Sequence, residues 1–192
     1  MFRTRHTGFT LAELLIALAI LGVNATFTIP KIITAQQNST YNTIAKEDIS
    51  AIAGAYQNAQ MAGLVSSGTT LGVITQYINY AATDTSTTID DVTTAGSQTC
   101  NATLPCLKMH NSSLIRYRAN ASFDGTSTTH ALWFHIDPDG AYSGTTNGAG
   151  KLLVMFIYYN GKIVDEANIP STTNSYAAYT AAATNTPSWF SW

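Results

Sequence analysis

Residues 9–29 hold a single charge, Glu13. This apolar run opens Phe9-Thr10-Leu11-Ala12-Glu13, thins through Asn24 and Thr26, and meets Pro30. As a helix, 21 residues extend roughly 31 Å, close to the hydrocarbon thickness of a bilayer. The segment is therefore long enough to cross a membrane. A basic leader with Arg3, Arg5 and His6 precedes it and ends at Gly8. Positive flanks stay in the cytoplasm, so the body after Pro30 is expected outside the inner membrane.

Two readings of this run stay open on the residues alone. In the first, it is the apolar region of an ordinary secretory signal. Val23-Asn24-Ala25 then reads as a small-x-small cleavage site, and the mature chain starts at Thr26. In the second, the helix is retained. A carboxylate inside an apolar run favours retention, because Glu13 costs insertion free energy and needs a function to offset it. Near a bilayer centre that cost is about 2.5–3.5 kcal/mol, and less toward the interface. A plain anchor helix would simply let Glu13 snorkel to the membrane surface.

The stretch Gly8, Phe9-Thr10-Leu11 and Glu13, with Gly22 and Pro30 further on, resembles the N-terminus of type IV pilins and type II secretion pseudopilins. The resemblance covers about the first 30 residues. It implies cleavage after Gly8 by a prepilin peptidase and methylation of the new amino terminus on Phe9. It also implies that Glu13 meets the Phe9 amine of a neighbouring subunit, fixing axial register. Pro30 is expected to kink the helix without ending it. Within the same class, a pilus subunit and a secretion or competence pseudopilin both fit. A third reading, from another class, is a membrane-anchored extracellular module that binds DNA or a surface ligand.

Beyond Lys31 the helical pattern changes character. Tyr41, Ile44, Ala45, Ile49, Ile52, Tyr56 and Ala59 recur at steps of three and four, an apolar stripe with Lys46, Glu47, Gln57 and Asn58 off it. Gly63 is the expected stop. A helix over 9–62 is about 80 Å long, too long for the interior of a domain this size. The expected division is therefore a leader at 1–8, a membrane and assembly half of the helix at 9–30, an amphipathic half at 31–63 and a globular head at 64–192.

The head reads as α+β, with an antiparallel sheet of three or four strands laid on the amphipathic helix. Residues 113–118 alternate. In 130–136, Leu132, Phe134 and Ile136 share a face. Residues 152–159 are apolar on both faces and so belong inside the sheet, and Asn160-Gly161 is a two-residue hairpin signal leading to 162–164. Leu71, Ile74, Tyr77 and Ile78 fit a short amphipathic helix, and 83–99 a loop or a loose edge. Cys100 and Cys106 are the only cysteines. Outside the cytoplasm such a pair reads as a disulfide lying ahead of the strands, against two buried thiols as the alternative.

Charged residues make up 10% of the chain, and threonine alone accounts for 29 residues, so the surface is neutral-polar. Without the leader, seven basic residues face eleven acidic ones, a net charge of −4, which disfavours general nucleic-acid binding. Asp137-Pro138-Asp139-Gly140 is a start toward a calcium loop, but Ala141 stands where the next oxygen ligand belongs, and a turn is the simpler reading. Asp84, Asp90 and Asp91 read as a solvated face. His110, His130 and His135 show no carboxylate partner at motif spacing. Lys108, Arg116 and Arg118 read as a solvated strand face, with DNA contact as the alternative. No phosphate loop or nucleophile elbow occurs. The expectation is a structural subunit, not an enzyme. It has no cofactor, metal or nucleic-acid partner, is anchored in the inner membrane before assembly, and ends in a periplasmic or extracellular filament.

Overall fold

A computed structural model describes residues 10–90, 97–126, 129–140, 152–169 and 186–192. The chain divides into two units, Met1–Ser39 and Thr40–Trp192. Helix α1, Leu11–Met61, is continuous by backbone hydrogen bonding and contains Pro30.

In the first unit the helix begins at a reciprocal cap. Glu13 N–H donates to Thr10 Oγ1 at 3.2 Å, and Thr10 N–H donates back to Glu13 Oε2 at 2.8 Å. This Thr-x-x-Glu box satisfies two backbone donors that a helix start leaves orphaned. Further on, the hydroxyls of Thr26, Thr28 and Thr34 donate to the carbonyls of Val23, Asn24 and Pro30. Each of these three hydroxyls thus finds its acceptor on its own helix.

In the second unit α1 becomes the core's central helix. Ala45, Ile49, Ile52, Tyr56 and Ala59 are buried, on the stripe expected from their spacing, and Asp48 is buried among them. The helix ends at Gly63 (φ 71°). Gly63 N–H donates to the Gln60 carbonyl and Leu64 N–H to the Ala59 carbonyl, both at 3.0 Å. That pair is a Schellman cap, and its left-handed residue favours glycine.

After a short helix α2 (Leu71–Ile74) and a 3-10 turn (Thr75–Tyr77), the described residues form eight strands: β1 Ala82–Asp84, β2 Thr88–Asp90, β3 Ser97–Thr99, β4 Cys106–Lys108, β5 Leu114–Tyr117, β6 Ala131–Asp137, β7 Leu153–Tyr158 and β8 Ile163–Asp165. Six form one antiparallel sheet in the order β1-β4-β5-β6-β7-β8, while β2 and β3 pair separately. The sheet is thus wider than the three or four strands expected. The two it adds, β1 and β4, are three residues long and lack an apolar alternation. Residues 83–99, expected as a loop or a loose edge, hold β2 and β3 and most of β1, which is an edge strand of the sheet.

Alternation assigns the faces. Leu132, Phe134 and Ile136 of β6 join Leu153, Met155 and Ile157 of β7 against the helix, with Leu71, Ile74 and Ile78 beside them. Val154, Phe156 and Tyr158 are buried on the opposite face. Strand β7 is therefore covered on both sides, flanked by β6 and β8. Between the hydrogen-bonded pair Tyr158 and Lys162 the turn has three residues rather than two. Tyr158 N–H donates to the Lys162 carbonyl and Gly161 N–H to the Tyr158 carbonyl. Gly161 takes the left-handed position (φ 81°) that such a loop requires. A Cβ at Gly161 would lie 2.8 Å from the Tyr56 ring, and the Tyr56 hydroxyl donates to the Tyr159 carbonyl. The helix is seated on this turn.

The C-terminal aromatics divide. Trp189 and Phe190 enter the core, whereas Trp192 is 60% exposed. Trp189 meets Tyr41 edge-on. Asn42 and Ser191 exchange two hydrogen bonds, so the end of the chain is tied to α1.

Candidate functional site

The feature with the clearest functional content is the first part of α1. Leu11, Leu14, Leu15, Ile16, Leu18, Ile20, Leu21 and Phe27 are all more than half exposed. Exposure runs around every side of the helix, and no residue of 10–39 is buried. A helix apolar all round is not stable in water; it requires lipid or the flanks of other helices. It is the one helix among the described residues long and apolar enough to cross a membrane.

Glu13 lies in the first turn of this segment, where negative charge suits the helix dipole. Its Oε2 accepts both the N–H and the hydroxyl of Thr10. The carboxylate therefore has a partner within its own chain, which the sequence reading did not assign. The signal was present as a Thr three residues before a Glu at the head of an apolar run. Gly8 and Phe9 lie outside the described residues. Pro30 stands inside α1, which continues beyond it.

Cys100 and Cys106 form a disulfide with Cα atoms 5.6 Å apart. Both are fully buried beside Ile89 and Leu114. The intervening loop is shaped by Asn101, whose Oδ1 accepts the N–H groups of Thr103 and Leu104. Cys106 opens β4, so the pair lies among the strands and not ahead of them. The disulfide fastens the segment after β3 to an interior strand of the sheet.

The remaining candidates are dispersed. Arg116 is 3% exposed, in a strand buried at every position, whereas Lys108 and Arg118 are exposed. The expected solvated face of three cations is thus broken at its centre. His130 Nδ1 lies 3.4 Å from Asp124 Oδ2, a carboxylate partner that motif spacing did not reveal. His135 is buried and stacks on Trp133. Asp137-Pro138-Asp139-Gly140 forms a turn in which Gly140 N–H donates to the Asp137 carbonyl and carboxylate. Asp84 binds the N–H groups of Ser86 and Thr87, and its hydrogen bonds, led by the Thr87 hydroxyl, pull its pKa down to about 2. The Asp90 side chain and Asp91 fall outside the described residues. Among the described residues no three His, Cys, Asp or Glu side chains converge as metal ligands would.

Residues 3–26 match the prokaryotic N-terminal methylation motif, the signature of type IV pilins and pseudopilins. Proteins with this signature are structural rather than enzymatic. Comparison with curated proteins and with solved structures finds no match.

Proposed function

We propose that this chain is a structural subunit of a type IV pilus-like filament, held in the inner membrane by residues 9–30 until assembly. In this reading 1–8 is a leader removed by a prepilin peptidase, Phe9 is the methylated amino terminus, 31–63 is the amphipathic half of the helix and 64–192 is the head. The observation that carries it is the methylation motif at residues 3–26 leading into a helix whose apolar side chains stand exposed.

Filament formation makes physical sense of that exposure. Each fully buried Leu or Ile is worth about 1.5–3 kcal/mol relative to water, and lateral packing of identical helices offers such burial once the segment leaves lipid. Small residues such as Ala12, Ala17, Ala19 and Gly22 permit close approach of neighbouring helices. Glu13 then faces a neighbour's Phe9 amine and sets the stagger between subunits.

The test is electron microscopy of sheared surface material, with the subunit identified by peptide mass. Abundant surface filaments containing this chain support a pilus subunit. Filaments seen only on overexpression, with a secretion defect on deletion, assign it to a pseudopilus. A chain that stays in the membrane as a monomer under both conditions contradicts assembly.

A further inference from the structure

Helix α1 carries one carboxylate within its packed face. Asp48 is fully buried and makes no salt bridge among the described residues. Its partners come from the turn between β4 and β5. Asn111 Nδ2 donates to Asp48 Oδ1 and to Glu47 Oε2, each at 3.1 Å. Ser113 Oγ lies 2.6 Å from Asp48 Oδ2 and 2.7 Å from Asn111 Oδ1. Ser113 N–H also donates to Asn111 Oδ1 at 3.0 Å, which fixes which end of the amide is oxygen.

The hydrogens in this cluster can be counted. The Ser113 hydroxyl has one hydrogen, yet it makes short contacts to two oxygens. Asn111 Oδ1 is an acceptor, and an ionised Asp48 would be another. With Asp48 ionised, one of the two contacts lacks a hydrogen. One proton on Asp48 Oδ2 completes the set: Asp48 donates to Ser113 Oγ, and Ser113 donates to Asn111 Oδ1. Every close contact then has one donor and one acceptor.

We propose that the folded head holds Asp48 as a neutral acid and that its ionisation loosens the β4–β5 turn from α1, a proton-dependent clamp. Burial, the largest cause, pushes the Asp48 carboxyl up to about 6, against the lowering effect of Ser113 and Asn111, with Glu47 adding to the rise. The titratable groups beside it are Glu47 on its own helix and His110 on the turn. The adjoining turn, whose Gly140 abuts the Ser112 carbonyl, carries Asp137 and Asp139. A cavity of about 190 Å³ lined by Glu47, Asp48, Asn79, His110 and Asn111 opens beside the carboxyl and gives water a route to it. The clamp matters because Asn111 and Ser113 are polar ties between the sheet and the helix that enters the membrane.

The sign follows from the raised value. A carboxyl at 3.8 when unfolded and about 6 when folded binds more protons in the folded state. Its stabilising contribution is complete below about 3.8 and is lost as pH rises through about 6. The shift corresponds to about a 100-fold change in the folded-to-unfolded ratio. Glu166, raised to about 7 by burial and then by Asp165, adds a second component of the same sign.

The experiment uses the full-length chain in detergent with carbon-13 aspartate carboxyls, followed by NMR from pH 4 to 8. Asp48→Asn assigns the signal and Glu166→Gln serves as control. The expected result is an Asp48 titration midpoint near 6, unmoved by Glu166→Gln, with faster amide exchange at Ser113 as Asp48 ionises. Should Asp48→Asn not fold, Glu47→Gln provides the assignment by lowering the same midpoint. An Asp48 carboxyl titrating near 3.8, or a Ser113 amide whose exchange ignores the titration, overturns the proposal.

Discussion

At the scale of single residues, Glu13 has two separable parts. Within the chain it caps α1 through Thr10; between chains it is proposed to meet an amine. Glutamine can replace glutamate in a capping box, so Glu13→Gln retains the cap and removes the charge, whereas Glu13→Ala removes both. Both variants are expected to insert into the membrane, to be processed, and to yield few filaments. Losing one partner of a buried charge pair costs about 3–5 kcal/mol, repeated at every subunit. Quantifying sheared filament against membrane-inserted subunit checks this; normal filaments from Glu13→Gln would reduce the residue to a cap. Gly161 is the second position where one atom decides. Gly161→Ala forces a side chain into φ 81° and against Tyr56. A loss of about 1–3 kcal/mol in denaturant unfolding is expected, with the sheet retained by circular dichroism.

At the scale of elements, the disulfide ties β4 to the segment after β3. Its loop is short, so reduction should cost on the order of 2 kcal/mol. Thermal unfolding with and without reductant measures that difference, and peptide mapping under non-reducing conditions tests the linkage itself. The elements also show what could be read in advance. The stripe on α1 and strands β5 to β7 follow from apolar periodicity, and the stop at Gly63 and strand β8 from turn chemistry. Strands β1 and β4 could not be read that way. Ala82-Thr83-Asp84 and Cys106-Leu107-Lys108 owe their conformation to their neighbours in the sheet and carry no pattern of their own. Asp48 escaped for a related reason: a stripe counted from apolar residues passes over a carboxyl whose burial depends on Asn111 and Ser113, more than sixty positions away. The same holds for Arg116, buried by what covers its strand and not by its own polarity.

At the scale of the whole molecule, the chain combines one segment that cannot rest in water with one that can. The exposed apolar helix requires lipid or copies of itself, while the head closes its own core around α1 and the sheet. A plain secretory signal would discard the apolar stretch up to Ala25 and leave the head with the rest of α1. A pilin-like subunit keeps the helix and sheds only the leader. Mass spectrometry of the protein's amino terminus, taken from membrane and sheared fractions of cells that express a prepilin peptidase, separates the two. The account predicts a mature chain that begins at Phe9 and carries one added methyl group on its amine. A mature chain beginning at Thr26 would contradict it.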